Sequence, residues 1–151
     1  MSTHTRPTFF ELTHDDAAAL LERNHVGRLA FTFHDRVDIE PISYVFAEGS
    51  VYGRTAPGTK LSTLEHHPWV AFEVDEVQGL FDWESVVVRG TLYMIDPRAG
   101  ERDREAHARA VAVLRTLDPA VLTRDDSAPD RLAIFQIFSD EITGRGASST
   151  G

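Results

Sequence analysis

The chain contains no cysteine among its 151 residues. It therefore has no disulfide, no thiolate metal site and no thiol redox chemistry. That composition fits a reducing cytoplasm, the expected location. Positive charge is scarce: 15 Lys and Arg stand against 24 Asp and Glu, for a net charge of −9. The arginines are scattered among carboxylates, and there is no basic cluster. Such a surface repels phosphate backbones, which argues against a nucleic-acid partner. An anionic ligand must be held by a few placed donors, not by the overall field. No apolar run is long enough to span a bilayer, and Met1 to Thr8 holds no apolar core of signal-peptide length. No membrane partner is expected. The spaced-glycine dinucleotide fingerprint and the phosphate loop of nucleotide hydrolases are both missing. Ser43, Ser85 and the histidines form no nucleophile motif. There is no repeat and no low-complexity tract.

What is present reads as one domain, 1–151, with flexible ends at 1–12 and 146–151. A first helix runs from Thr13 to Asn24, capped by Thr13 with Asp15 and Asp16 in its first turn. Ala17, Leu20 and Leu21 give it an apolar face. Val26 to Phe33 alternates with period two and is a strand. After the turn at His34-Asp35-Arg36, Val37 to Ala47 is a second strand, interrupted at Pro41. Proline cannot donate to a ladder, so Pro41 marks an edge, a bulge or a bend. Glu48-Gly49 turns into a third strand, Ser50 to Thr55. A short helix is expected from Thr59 to His66, stopping before Pro68. Trp69 to Glu76 is a fourth strand, Val77 to Trp83 a loop, and Glu84 to Ile95 a fifth strand rich in β-branched residues. Asp96-Pro97 opens a second long helix with an apolar stripe of Ala106, Ala110, Val113, Leu114 and Leu117. Thr123 to Asp130 reads as a loose polar loop, Leu132 to Ser139 as a sixth strand, and Gly144 to Gly151 as a frayed tail. The fold class is mainly β with flanking helices, a six-stranded antiparallel split β-barrel.

The segment with the most chemistry is Tyr52-Gly53-Arg54-Thr55-Ala56-Pro57-Gly58-Thr59-Lys60. A strand ends at Arg54 and Thr55, a Pro-Gly turn follows, and Lys60 lies in the first turn of the expected helix. Two cations, two hydroxyls and a helix start make a compact phosphate cradle in an acidic chain. Read alone, Arg54 and Lys60 serve equally well as solvated surface charges.

Four blocks then fall in order: Val26-Gly27-Arg28-Leu29-Ala30-Phe31; Pro41-Ile42-Ser43-Tyr44; Arg54-Thr55 with Gly58 and Lys60; and Val70 to Asp75 leading to Trp83, Ser85 and Arg89-Gly90. With these the sequence resembles the pyridoxamine phosphate oxidase-like, FMN-binding split-barrel superfamily, nearest its nitroimidazole-resistance-type proteins. The resemblance spans Thr13 to about Arg145. It implies a two-fold homodimer with two FMN sites in the interface groove. It places Arg54, Thr55 and Lys60 on the FMN phosphate. It places Pro41, Ile42, Ser43 and Tyr44 along the isoalloxazine ring, partly through backbone groups. It places Trp83 and Ser85 where the partner's flavin is reached. The C-terminal arginine and histidine substrate motif of true pyridoxamine phosphate oxidases is replaced here by Glu141-Ile142-Thr143-Gly144-Arg145-Gly146, so the vitamin is not the expected substrate.

The reading that results is an FMN-dependent oxidoreductase acting on a small molecule by flavin hydride transfer, with a nicotinamide nucleotide as a candidate electron donor. No catalytic side chain is assigned, and nitro-group reduction rests on family analogy. Two alternatives stay open: a deazaflavin-dependent reductase or carrier, and a non-enzymatic flavin- or haem-binding protein. His66-His67 offers no third ligand at metal spacing, so no metal is expected. Trp69 reads as packing. Arg89 is equally an exterior charge or an interface donor.

Overall fold

The computed structural model describes residues 6–64 and 68–149. His66 and His67 lie outside the described residues. The elements are β1 (Thr8–Glu11), α1 (His14–Arg23), β2 (Val26–Phe33), β3 (Arg36–Ala47), β4 (Ser50–Thr55), a 3-10 turn (Leu61–Thr63), β5 (Trp69–Gly79), β6 (Asp82–Ile95), α2 (Glu101–Leu114) and β7 (Ala133–Ser148). All pairings are antiparallel, in the order β1-β7-β4-β3-β2-β5-β6, and β6 pairs back onto β7. The six expected strands thus close a ring. One edge of β7 is shared: Ala133–Phe138 pair with β4 and Arg145–Ser148 pair with β1. The barrel is split between those two partners.

Alternation within the strands builds the barrel core. Leu29, Phe31, Tyr44, Phe72, Val74, Val86, Val88, Phe135 and Ile137 point inward and are buried, and α1 adds Ala17, Leu20 and Leu21. Thr13 caps α1 as expected, its hydroxyl accepting from the Asp16 N–H at 3.1 Å. A second, smaller core lies outside the barrel. There Ala110, Val111 and Leu114 of α2 pack on Tyr52, Ile95 and Ile134 of β4, β6 and β7. Barrel closure needs one close approach. A Cβ on Gly90 would sit 1.9 Å from the Phe138 carbonyl oxygen, at the point where the β6–β7 register shifts.

Several expectations are corrected. The loop at Val77 to Trp83 is a tight hairpin, because β5 runs on to Gly79 and β6 starts at Asp82. The N- and C-terminal stretches expected to be flexible each carry strand instead, and Thr8–Glu11 pair with Arg145–Ser148. Asp96 caps a turn, accepting from the Arg98 N–H at 2.9 Å, while α2 starts after Gly100, whose φ is 148°. The short helix from Thr59 shrinks to three residues. Its Ser and Thr side chains compete with helical bonding: Thr59 Oγ1 accepts from the Ser62 N–H, and the Ser62 and Thr63 hydroxyls donate to the Thr59 and Lys60 carbonyls. Leu117 is exposed, so the α2 stripe ends at Leu114. Among the described residues no helix is long and apolar enough to cross a membrane.

Candidate functional site

The β3 strand sets the geometry. The two-residue turn at His34 and Asp35 has positive φ at both positions, 49° and 62°, so Phe33 and Arg36 form a hydrogen-bonded pair. From there every second residue of β3 turns its N–H and C=O toward β2, and Tyr44 keeps the phase by donating to the His25 carbonyl at 2.9 Å. Val37, Ile39, Pro41 and Ser43 therefore aim their backbone groups away from β2. The β4 strand takes up that edge from Ser43 onward: Tyr44 and Gly53 are a non-hydrogen-bonded pair, so the Ser43 carbonyl accepts the Arg54 N–H. The edge from Val37 to Pro41 is open, and Pro41 sits where its missing N–H breaks no ladder bond. Ile39 N–H is turned back onto Asp38 Oδ1 at 2.9 Å.

The side chains of the four β3 candidates divide by parity. Ile42 and Tyr44 point into the barrel and are buried. Tyr44 donates its hydroxyl to the Leu21 carbonyl at 2.7 Å and meets Phe72 edge-on at 4.9 Å. Burial pushes its phenol well above the usual range. Ile42 and Tyr44 can thus offer a ligand only their backbone. Pro41 and Ser43 point outward, and Ser43 and Arg54 line one groove of about 280 Å³ beside Leu114 and Leu117 of α2.

Arg54 is not a free cation. Its two terminal nitrogens donate to both oxygens of Asp126, at 2.6 and 2.8 Å, and the two side chains are 12% and 2% exposed. Asp126 also accepts the N–H groups of Leu122 and Ala128 at 2.8 and 3.0 Å. The Arg54 guanidinium, followed by these backbone donors, holds the Asp126 carboxyl far below the ordinary carboxylate range. The same bond raises the Arg54 pKa. The stretch from Thr123 to Asp130, expected to be loose, is thus anchored by a buried carboxylate. Asp126 was missed because only its partner lay in a motif. The Asp126-Ser127-Ala128-Pro129 run carries an Asx-turn signature, but nothing in the sequence points it at Arg54.

Thr55 and Thr59 bring their hydroxyls to 3.1 Å at the end of β4. Lys60 reaches Asp38 of β3 at 2.9 Å and remains more than half exposed. The Lys60 ammonium is the largest cause that holds the Asp38 carboxyl below its usual range. The cradle thus consists of two hydroxyls, a Pro-Gly turn and two cations that each already have a carboxylate. The helix dipole expected to support it is reduced to a single 3-10 turn.

Trp83 and Ser85 belong to a different place on the barrel. Extending the Arg28–Glu73 register by two residues gives the outer-face row Ser43–Val26–Asp75–Ser85. Ser85 is therefore three strand spacings from Ser43, about 14 Å. Its hydroxyl donates to Glu73 at 2.7 Å, inside a cluster where Arg28 stands 3.5 Å from both Glu73 and Asp75. Burial first, and then Asp75, raise the Glu73 pKa against the Ser85 bond. Trp83 borders a separate hollow with Phe9 and Phe10. One chain does not bring Trp83 and Ser85 onto the β3 edge. Arg89 lies on the same outer face and donates to Thr143 at 3.2 Å. Trp69, expected to pack, is 64% exposed.

With this geometry fixed, comparison with known proteins is decisive for the family. The family model for pyridoxamine 5'-phosphate oxidase matches residues 13–146. The chain belongs to the pyridoxamine 5'-phosphate oxidase family. Among solved structures this family member is similar to the FAD binding protein from Mycobacterium smegmatis, at 25% identity over 91% of this chain and 99% of that one, with a TM-score of 0.67. An FAD-binding protein from Mesorhizobium loti shares 24% identity over 93% and 98% of the two chains, with a TM-score of 0.70. A candidate 5-nitroimidazole antibiotic resistance protein from Bacteroides thetaiotaomicron shares the fold at 13% identity, over 93% and 88%, with a TM-score of 0.70. A search among curated proteins finds no match.

Proposed function

We propose that this chain is a flavin-dependent oxidoreductase that binds FMN, alone or as the FMN half of a larger flavin, and acts on a small molecule as a homodimer. The observation that carries the reading is the open β3 edge beside the Thr55–Lys60 turn. The pyrimidine edge of an isoalloxazine alternates hydrogen-bond acceptors with a donor. The Pro41 carbonyl and the Ser43 N–H, which neither β2 nor β4 uses, suit that pattern without any special side chain. The turn lies where a ribityl chain leaving the ring would end. Lys60 would hold the phosphate there, joined by the Thr55 and Thr59 hydroxyls once these turn from each other and from the Ala56 carbonyl. Arg54, oriented by Asp126, would turn its unclaimed N–H groups to it. The flavin, when bound, supplies hydride acceptance and donation; the protein's share is orientation and exclusion of water. The Mycobacterium smegmatis relative binds a flavin, which supports the cofactor class.

The homodimer is supported by an unpartnered apolar outer face. Val37, Ile39 and Trp69 are 82%, 63% and 64% exposed. A second copy would cover them, and would also bring its own Trp83 and Ser85 onto this copy's β3 edge. A stable interface of this kind buries about 800 Å² on each partner. The test combines light scattering with an absorbance spectrum and mass analysis of the co-purifying ligand. The expected result is a particle of twice the 16.8 kDa chain mass carrying one flavin per chain. A deazaflavin band at shorter wavelength, or a haem Soret band, would replace the cofactor assignment. A monomer with flavin bound would remove the shared site.

A further inference from the structure

The outer face of the barrel carries a second hollow, at the opposite end of α2 from the groove lined by Ser43 and Arg54. Its volume, about 680 Å³, lies in the range of ordinary small-molecule sites. Register fixes its floor. One row across β4, β7 and β6 is Tyr52–Gln136–Tyr93, and the next is Ser50–Phe138–Thr91. Two strand spacings make this floor about 10 Å across. The first turns of α2 form the wall, where Ala106 and Arg109 border the hollow.

The floor is polar and buried. Tyr52, Ser50 and Gln136 are 2%, 6% and 8% exposed. Gln136 Nε2 donates to Ser50 Oγ at 3.0 Å, which fixes the amide. Among the described residues no group donates to Gln136 Oε1. No fully buried side-chain polar atom there lacks a partner, so this oxygen opens onto the hollow. An acceptor so placed selects a hydroxyl or amino group on whatever fills the space. Beside it Tyr93 and Phe138 meet edge-on, with centroids 5.1 Å apart, and both stay part-exposed to offer a surface to a planar ring.

The rim carries both signs of charge: Glu48, Asp103 and Glu105 border the hollow with Arg102 and Arg109. At the β4 end the balance is positive. Burial raises the Tyr52 phenol pKa, and of the charges acting on it Arg109 outweighs Glu48. The phenol therefore stays protonated and can donate. Arg109 makes no ion pair among the described residues, which leaves its guanidinium fork for a carboxylate. Asp103 and Glu105 stand one to two turns nearer the start of α2.

We propose that this hollow binds a small aromatic carboxylic acid with a hydroxyl or amino group on its ring. Arg109 and Tyr52 hold the carboxylate, Gln136 accepts from the ring substituent, and the Tyr93–Phe138 pair supports the ring. The hollow lies away from the β3 edge, so the proposal does not depend on the flavin reading.

Titration of the full chain with para-hydroxybenzoate, by calorimetry and by NMR of the Gln136 side-chain amide, tests it. Saturable one-to-one binding is expected, with the Gln136 amide resonances shifting. Para-hydroxybenzyl alcohol lacks the carboxylate and benzoate lacks the donor; each should bind about tenfold more weakly. Arg109→Ala, at an exposed position, should weaken para-hydroxybenzoate by about tenfold or more and leave para-hydroxybenzyl alcohol unmoved. Gln136→Leu should remove the advantage of para-hydroxybenzoate over benzoate. Circular dichroism melts establish that each variant folds, and Arg109→Ala alone decides the matter if Gln136→Leu does not. No saturable binding, or undiminished binding in Arg109→Ala, would overturn the site. Tighter binding of para-hydroxybenzylamine would overturn the choice of a carboxylate. Flavin titrations of Arg109→Ala should match those of the unaltered chain, and a loss there would overturn the separation of the two sites.

Discussion

Replacing Arg54 by alanine tests whether this residue is chiefly a ligand donor or chiefly a structural counter-charge. A strand-end donor waiting for a phosphate could be removed with no effect on the empty protein. The structure predicts otherwise. The Asp126 side chain is 2% exposed and has four donors, two from Arg54 and two from the backbone N–H groups of Leu122 and Ala128. Alanine removes the cation and half of those donors while the carboxylate stays buried. Breaking a buried pair from one side is far more damaging than the pair's net worth, because a charge is left uncompensated. For a chain of this length the melting temperature should fall on the order of 10 °C. The double variant Arg54→Ala/Asp126→Ala should recover part of that loss. The pH dependence has a definite sign. Asp126 is depressed in the folded state, so its stabilisation is present above the unfolded carboxylate value of about 4 and is lost as pH falls through the lower folded value. The melting gap between the unaltered chain and Arg54→Ala should be full at neutral pH and shrink below about pH 4. Thermal melts by circular dichroism across that range measure it. A change of less than about 2 °C, or a gap that ignores pH, would refute the structural role given to the pair.

Lys60→Ala should weaken FMN by about tenfold and leave riboflavin, which lacks the phosphate, unmoved; paired titrations by flavin fluorescence read the difference. Tyr44→Phe removes the hydroxyl bond to the buried Leu21 carbonyl and should lower stability by about 1–2 kcal/mol in urea unfolding, with flavin affinity unchanged because the side chain faces the barrel interior. Gly90→Ala forces a methyl to within 1.9 Å of the Phe138 carbonyl oxygen. Its cost should exceed about 3 kcal/mol, seen as insoluble expression or a collapsed melting transition.

The sequence carried most of the fold because its strands alternate cleanly. The β2 and β4 spans match their expected bounds residue for residue, β2 from its period-two alternation and β4 from the turn before it, and the Thr13 cap and Glu48-Gly49 turn use side chains and backbone preferences that are local. What was illegible is what depends on distant partners. Thr8–Glu11 becomes a strand only because β7 extends past its expected end to meet it. The helix after Thr59 is shorter than its pattern suggests because the Thr59, Ser62 and Thr63 hydroxyls bond to its own backbone. The cradle residues were found from their motif, but their neutralisation was not. Asp38 and Asp126 sit 22 and 72 residues from the cations they pair with, and no spacing rule reaches that far. The open edge at Pro41 was half legible. Proline announced a position with no ladder donor, and the parity of the His34-Asp35 turn settled which side it faces.

The central claim is that the open β3 edge and the adjoining turn hold a phosphorylated flavin. The most direct measurement is the spectrum and mass of the ligand that leaves the purified protein on denaturation, followed by titration of the stripped chain with FMN. The account predicts a blue-absorbing flavin in one-to-one ratio with the chain and full re-binding in the titration, with Lys60→Ala impairing FMN and sparing riboflavin. A colourless protein that gives no heat and no fluorescence change with any flavin would contradict it.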